Sequence, residues 1–259
     1  MSSAPSPLPS GSSPVSKSPA AAKTRRRKVG EGLRIHQAIA RKLGIAILNG
    51  TFEPGSSLGG EIEASERLGV SRTAYREAIR ILIAKGLIES RPKAGTHVLP
   101  RRRWNLLDPD ILAWMFSEKP DRNFVRDLFE LRAIIEPEAA ALAASRRHDG
   151  HLAAMKLALD GMRVHGLACG EGQAADQDFH STMLEAAGND ALTSLIGSVG
   201  AAVRWTTHFK QSYSPVPRNS LPEHEAVHHA IAAGDPVAAR RAMQVLLDFA
   251  RADVVDIMA

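Results

Sequence analysis

At 259 residues, with 44% hydrophobic and 24% charged side chains, the chain is long enough for two modest domains and a linker, and its composition is that of a globular protein. A single cysteine, Cys169, excludes an intramolecular disulfide framework, and no apolar run approaches the ~18 to 20 residues of a membrane span; both point to a cytoplasmic protein with no membrane partner. The formal net charge of +5 is unevenly shared: residues 1–30 carry six basic residues and no acid, residues 31–103 thirteen basic and seven acidic, and the remainder fourteen basic and twenty-one acidic. A basic front joined to an acidic remainder places any polyanion partner at the front.

Residues 1–30 read as a disordered tail rich in Ser, Pro and Ala, ending in the basic run Arg25-Arg26-Arg27-Lys28. That run is either a solvated charge cluster or a source of weak, salt-dependent phosphate contacts. Residues 31–100 read as a winged helix-turn-helix. A short helix from Glu61 to Leu68 is closed by Gly69, with Val70 turned into the core. Ser71 is an N-cap for a second helix from Arg72 to about Lys85. On it Tyr75, Ala78, Ile79 and Leu82 form one apolar stripe, leaving Arg72, Thr73, Arg76 and Arg80 on the opposite face. An arginine-bearing helix face fits the major groove of B-DNA, where guanidinium groups pair with guanine and reach phosphates. Two short strands, Leu87 to Ser90 and Thr96 to Leu99, then flank a basic tip that holds Lys93 and Gly95.

Residues 101–110 form a linker. Asp108-Pro109 supplies an N-cap and a first-turn proline for a helix to about Phe116, and Trp104, Leu107, Leu112 and Trp114 are too apolar for a free spacer, so the segment should be docked. From residue 111 to 259 the pattern is helical throughout. Six helices are expected after the linker, at about 121–146, 149–168, 171–187, 190–212, 222–233 and 236–257, packed as an antiparallel bundle. The overall fold class is thus mostly α, a winged helix-turn-helix followed by an all-helical bundle.

The bundle carries the chemistry of a pocket. Asp176 and His180 are four residues apart on one helix face, and His224 lies on a later helix with His228 one turn on. A carboxylate with imidazoles suits Zn²⁺, Ni²⁺ or Mn²⁺. Arg132 and Arg204 lie among apolar neighbours and are expected to point partly inward, where a carboxylate ligand would accept the guanidinium fork; for Arg132 an internal salt bridge to Glu136 is the competing role.

Gly69-Val70-Ser71-Arg72-Thr73, Arg76-Glu77-Ala78, Lys85-Gly86-Leu87-Ile88, Arg91-Pro92 and Gly95-Thr96 resemble the DNA-binding domain of GntR-family transcriptional regulators over roughly Leu33 to Val98. The resemblance implies that Ser71, Arg72, Thr73, Arg76 and Gly95 contact double-stranded operator DNA, with Lys93 beside them at the wing tip. Ile62 stands where members commonly carry an arginine, and Gly59-Gly60 replace a usual Pro-Ser. Leu131-Arg132, Ile135-Glu136-Pro137, Asp176, Phe179-His180, Gly188-Asn189, Glu223-His224 and Gly234-Asp235 resemble the all-helical FCD ligand-binding domain of the FadR-like branch, over residues 108–250. That likeness implies metal ligation by Asp176, His180 and His224, with a further histidine normally twenty-two residues after the third; Leu246 stands there, so the site is either incomplete or closed by water, the effector or a displaced residue such as His228. Residues 103–110 are most similar to sugar-acid and galactonate-type repressors. The expected function is a homodimeric, metabolite-responsive repressor that binds a small carboxylate, a sugar acid above all, and associates with the nucleoid when on DNA. Two other functions remain open on the residues: a metal-dependent hydrolytic enzyme using Asp176, His180 and His224, and a DNA-binding protein that needs no ligand.

Overall fold

The structure, a computed structural model, describes residues 35–91, 95–117, 120–214 and 216–258, apart from the side chains of 256 and 258. The basic run at residues 25–28 and Lys93 therefore lie outside the described residues. Among the described residues there are eleven α-helices and one two-stranded sheet. The front half contains α1 (residues 35–48), α2 (Glu61–Arg67), α3 (Arg72–Ala84), β1 (Ile88–Arg91) and β2 (Gly95–Val98). A 3-10 turn (Arg101–Arg103) and α4 (Pro109–Met115) follow. The bundle comprises α5 (Arg122–Arg146), α6 (Asp149–His165), α7 (Gly170–Ala186), α8 (Asp190–Thr193), α9 (Ile196–Tyr213), α10 (Leu221–Ala233) and α11 (Pro236–Met258).

In the front half, Tyr75, Ala78, Ile79 and Leu82 of α3 are buried with Ile39, Leu43 and Ile47 of α1 and with Leu87, Ile88 and Val98 of the wing. The Ser71 side chain accepts from the Ala74 amide at 3.2 Å, which satisfies one of the free donors at the start of α3. Gly69 takes a positive φ of 65° and closes α2 by donating to the Glu66 carbonyl. Strands β1 and β2 pair antiparallel with Ile88 opposite Val98 and Arg91 opposite Gly95. This winged helix-turn-helix has the arrangement read from the sequence, with strand ends moved by one residue.

The bundle core gathers Met155, Leu159, Phe179, Met183, Leu184, Val227, Ile231, Met243 and Leu247. Arginines at the end of α5 seal two other helix ends: Arg146 Nη1 donates to the Ala187 carbonyl (2.9 Å) after α7, and Arg147 Nη2 donates to the Ala232 carbonyl (3.0 Å) in α10. Two expected helices differ. The one placed at 149–168 stops at His165, because Gly166 turns to a φ of 65°. The one placed at 190–212 is broken into α8 and α9 at Ser194 and Leu195. There Thr193 Oγ1 and Ser194 Oγ return to the Asn189 and Ala191 carbonyls, local bonds that compete with helix propagation.

Helix α4 belongs to both halves. Its Ile111 and Trp114 join the front core together with Trp104, while Leu112 and Phe116 pack with Phe124, Val125 and Phe209 of the bundle. The linker is clamped to the end of α3. Lys85, the C-cap of α3, donates to Asp108 Oδ1 at 2.6 Å and lies 2.8 Å from Asp110 Oδ2. Burial opposes its charge, but the two carboxylates outweigh burial and raise its pKa above the ordinary lysine value. Asp108 Oδ1 also accepts from the Asp110 and Ile111 amides, so one oxygen both caps α4 and ties it to α3. Trp104 Nε1 donates to the Leu99 carbonyl at 2.7 Å, and the Asn105 amide donates to the Lys85 carbonyl at 3.0 Å. The docked linker was expected from its tryptophans; the clamp was not.

At Gly86 this junction leaves no room. Its φ is +71°, and a Cβ there would lie 2.3 Å from the Arg103 carbonyl oxygen. Gly86→Ala is expected to lower the unfolding free energy by at least about 1 to 2 kcal/mol from the left-handed backbone alone, with the backbone contact adding to it. Urea unfolding of the two proteins checks this, and equal midpoints would contradict the close approach.

Candidate functional site

Two sites emerge, one in each half of the chain. At the front, Ser71, Arg72, Thr73, Arg76 and Arg80 are all exposed on one face of α3, opposite its buried stripe. Arg76 Nη2 lies 3.5 Å from Glu61 Oε1 at the start of α2, both side chains in contact with solvent, and Arg80 Nη1 donates to Glu77 Oε1 at 2.7 Å. Exposed pairs of this kind are worth little and exchange readily for another anion. Gly95 is exposed with a φ of +85°, at the base of the wing tip. Ile62, where an arginine is common among the proteins this half resembles, is 52% exposed on α2.

In the bundle, α5, α7, α9 and α10 each send polar groups to one point. Asp176 and His180 of α7 and His224 of α10 are all buried, as their i, i+4 spacing and later partner suggested. His224 Nε2 lies 2.9 Å from Asp176 Oδ1 and 3.3 Å from His180 Nε2, and His180 Nε2 lies 3.8 Å from Asp176 Oδ1. Their other ring nitrogens settle the tautomers. His224 Nδ1 meets the Ser220 carbonyl at 2.7 Å, and a carbonyl only accepts. His180 Nδ1 meets Glu136 Oε2 at 2.5 Å, again an acceptor when ionised. Both Nδ1 atoms therefore donate, so in the neutral rings both Nε2 lone pairs face each other and the Asp176 carboxylate, and in a protonated ring Nε2 donates to that carboxylate instead.

Three lone-pair-bearing atoms so close, with little water, need a positive charge between them. A proton can serve one pair; a divalent ion serves all three. Ligands ~2.1 Å from one ion lie about 3.0 Å apart at right angles and about 3.4 Å apart in a tetrahedron, and the observed 2.9, 3.3 and 3.8 Å bracket those values. Each histidine also has its outer nitrogen bonded to a carboxylate or carbonyl, the support that metal-ligating histidines require. The donor set thus fits Zn²⁺, Ni²⁺ or Mn²⁺.

Behind this corner stands Glu136, fully buried on α5. Arg132 Nε donates to its Oε1 at 2.5 Å, and His180 to its Oε2. Burial alone would raise the Glu136 pKa, but the Arg132 guanidinium and the His180 ring hold it down to about 2. Asp176 is likewise kept well below the usual carboxylate range: burial opposes ionisation, and the His224 hydrogen bond and charge, His180 and the Thr207 hydroxyl overcome it. Thr207 Oγ1 donates to Asp176 Oδ2 at 2.8 Å.

Asp176, His180, His224, Arg132 and Thr207 line a cavity with Phe129, Thr206, Lys210, Leu246 and Ala250, with about 30 Å³ of free space. That is room for an ion with one or two waters. Leu246 does occupy a wall of it, an apolar group where the resemblance looks for a fourth ligand. His228 does not replace it: the ring nitrogen faces the Leu152 carbonyl at 3.4 Å, away from the cavity. Of the two arginines expected to face a ligand, Arg132 lines the cavity but spends its guanidinium on Glu136 and, through Nη1, on Thr206 Oγ1 at 3.1 Å. Arg204 is exposed, a correction that follows from the helix phase. Val203, Thr206, Thr207 and Lys210 form the inward side of α9, and Arg204 falls outside it. Thr207 and Lys210 were missed as pocket groups; the spacing of Thr206, Thr207 and Lys210 from Val203 was the available signal, while the Arg132 to Glu136 salt bridge is the competing role read from the sequence.

Residues 35–98 match the family model described as bacterial regulatory proteins, gntR family, and residues 127–249 match that of the FCD domain. An uncharacterized HTH-type transcriptional regulator, YieP of Escherichia coli strain K12, is 34% identical over 212 residues, which are 81% of this chain and 90% of that protein. The galactonate operon transcriptional repressor of the same strain is 32% identical over 208 residues, 79% of this chain and 90% of that protein. Among solved structures, one titled for Lar, a protein that controls the Listeria monocytogenes agr system, superposes with a TM-score of 0.59 at 17% identity, covering 85% of this chain and 96% of that one. That last likeness is one of fold.

Two outcomes are expected of the buried site. A carboxylate whose folded pKa is about 2 against an ordinary 4.5 contributes stability that is fully present above pH 4.5 and lost as the pH falls toward 2. Glu136→Gln should remove that part of the acid limb and, by leaving Arg132 without its charge partner, cost roughly 3 to 5 kcal/mol at neutral pH; urea unfolding at pH 7 and pH 3 measures both. Zn²⁺, Ni²⁺ or Mn²⁺ should raise the unfolding free energy by about 2.7 kcal/mol at a hundredfold excess over its Kd, and the unfolding midpoint with it, and His224→Ala should abolish the rise. Elemental analysis of protein purified without a histidine tag gives the same answer independently.

Proposed function

This chain belongs to the GntR family of bacterial transcriptional regulators and carries an FCD domain, and on that footing we propose that it is a homodimeric repressor, released from its operator by a small carboxylate, a sugar acid in the first place. The carrying observation is the buried pocket with three converging metal donors in a chain whose other end exposes an arginine-bearing helix. The sugar-acid assignment is supported by the 32% identity to a protein named as a galactonate operon repressor.

The chain is a regulator and not an enzyme, as its family is. The pocket chemistry agrees with that. Glu136 and Asp176 are both held ionised by fixed partners, so neither is a free general base of the kind that water activation requires. Asp176, His180 and His224 would hold a divalent ion, which when bound offers coordination positions to ligand oxygens.

We assign DNA recognition to Ser71, Arg72, Thr73 and Arg76 at the start of α3, with Gly95 of the wing against the backbone and Lys93, outside the described residues, as the cation the sequence supplies next to it. One recognition helix makes few base contacts, and two copies related by a dyad would read a near-palindromic site. Ligand response follows from the size of the cavity. About 30 Å³ is much smaller than the space a sugar acid requires, so binding must move a wall. Helix α9 is one such wall, and its Phe209 ring packs edge-on to Phe116 of α4 at 6.2 Å. Helix α4 in turn holds Lys85 at the end of α3 through Asp108 and Asp110. A shift of α9 thus has a packed path to the recognition helix.

The purified protein should retard DNA from its own promoter region at moderate salt, and sugar acids should release it. Arg76→Ala should weaken operator binding by roughly 1 to 3 kcal/mol and relax base preference. Failure to bind its own upstream DNA would sink the regulator assignment; binding that no carboxylate alters would leave a ligand-independent DNA-binding protein.

A further inference from the structure

The sequence pointed to Arg132 and Arg204 as the cations that meet an acidic ligand. Arg132 is engaged by Glu136 and Thr206, and Arg204 is exposed. The cavity nevertheless has a second cation. Lys210 is 4% exposed and lines the cavity directly. It lies one helical turn beyond Thr206 and Thr207 on the inward side of α9, which puts its Cβ about 5 to 6 Å from that of Thr207, whose hydroxyl holds Asp176.

The partners of Lys210 leave it underused. Its Nζ is 3.5 Å from Asp253 Oδ2, well beyond the ~2.7 to 2.9 Å of a charge-assisted hydrogen bond. The same Asp253 oxygen is shared with Arg218 Nε, also at 3.5 Å. Arg218 lies over the Phe249 ring at 4.3 Å and pairs through Nη1 with Glu223. Among the described residues, buried Arg218 Nε and Nη2 and Asp253 Oδ2 have no hydrogen-bond partner. A buried ammonium with a stretched, shared counter-ion is costly unless a further acceptor completes it. Burial pushes the Lys210 amine below its ordinary value, and the carboxylates of Asp253 and Asp176 together do not offset it.

We propose that Lys210 is the anion-binding group of the pocket, acting alongside the Asp176, His180 and His224 corner. The pocket is then bipolar. It takes a small organic acid with one carboxylate on Lys210 and a second oxygen donor, hydroxyl or carboxylate, about one helical turn away at the metal corner. Polyhydroxy acids and dicarboxylates meet both demands. A neutral polyol lacks the charge, and acetate lacks the reach. The inference rests on the ligand-responsive reading above and adds to it the residue that recognises charge.

The test is calorimetric titration of the full chain, loaded with Zn²⁺, with gluconate and tartrate and with sorbitol and acetate as controls. The wild-type protein should bind one or both acids at least tenfold more tightly than either control. Lys210→Met combined with Asp253→Asn, which leaves no lone carboxylate behind, should lose roughly tenfold to a hundredfold in acid affinity. Its Zn²⁺ affinity should be unchanged, and Lys210→Arg should retain most of the acid binding. Acid binding equal to wild type in the double variant overturns the role of Lys210 while leaving the carboxylate effector intact. Sorbitol binding as tightly as gluconate to the wild type overturns it without any variant. If the wild type binds neither acid, the carboxylate effector itself fails, and this inference with it.

Discussion

Glu136 has no water to share its charge, so its two oxygens depend on Arg132 and His180, and much of the bundle is arranged around that dependence. Arg132 comes from the preceding turn of α5 and His180 from α7, so one carboxylate joins two helices. By accepting from His180 Nδ1 it also turns the Nε2 lone pair toward Asp176 and His224. The arginine continues to Thr206 on α9 through Nη1. A buried charge satisfied in this way is weak evidence of added stability, since desolvation offsets much of the attraction. What it supplies is orientation. Without it the His180 ring would be free to take the other tautomer, and three donor atoms would not converge.

The same economy governs the join between the two halves. Asp108 Oδ1 caps α4 and receives Lys85, so the end of the recognition helix and the start of the connecting helix share one oxygen. Helix α4 is only seven residues long and buries both of its faces, Ile111 and Trp114 toward the front and Leu112 and Phe116 toward the bundle. A short helix with no wet apolar face cannot slide independently of either neighbour. The halves therefore report on one another through packing, and Gly86 makes the approach possible by leaving space for the Arg103 carbonyl.

Much of the fold was legible because its signals are local. The α3 stripe of Tyr75, Ala78, Ile79 and Leu82 needs only the helical period, and Ser71, Asp108, Asp121 and Asn189 each cap a helix with their own side chain. Asp176 and His180 share a helix face for the same reason. The break between α8 and α9 was harder, since Asp190 to Tyr213 shows no glycine or proline at the break, only serine and threonine side chains turning back on the backbone. Arg204 was misplaced because an arginine beside Val203 reads as inward unless the phase of α9 is known, and the break in front of it sets that phase.

By itself the sequence determined the two-part architecture, the exposed cationic face of α3 and the shared helix face of Asp176 and His180, because helix period, caps and i, i+4 spacing are properties of neighbouring residues; His224 was implied by the family resemblance. Only the tertiary structure decided what surrounds them. Glu136 meets His180 across 44 residues, Lys85 meets Asp108 across 23, and Lys210 meets Asp253 from a different helix. In each case a charge that would be solvated in an isolated helix is buried by a partner element, and burial turns an ordinary side chain into part of a site. The wall beside the Asp176, His180 and His224 corner was decided in the same way: Leu246 lies on α11, and the packing of α11 against the pocket brings an apolar group to that wall.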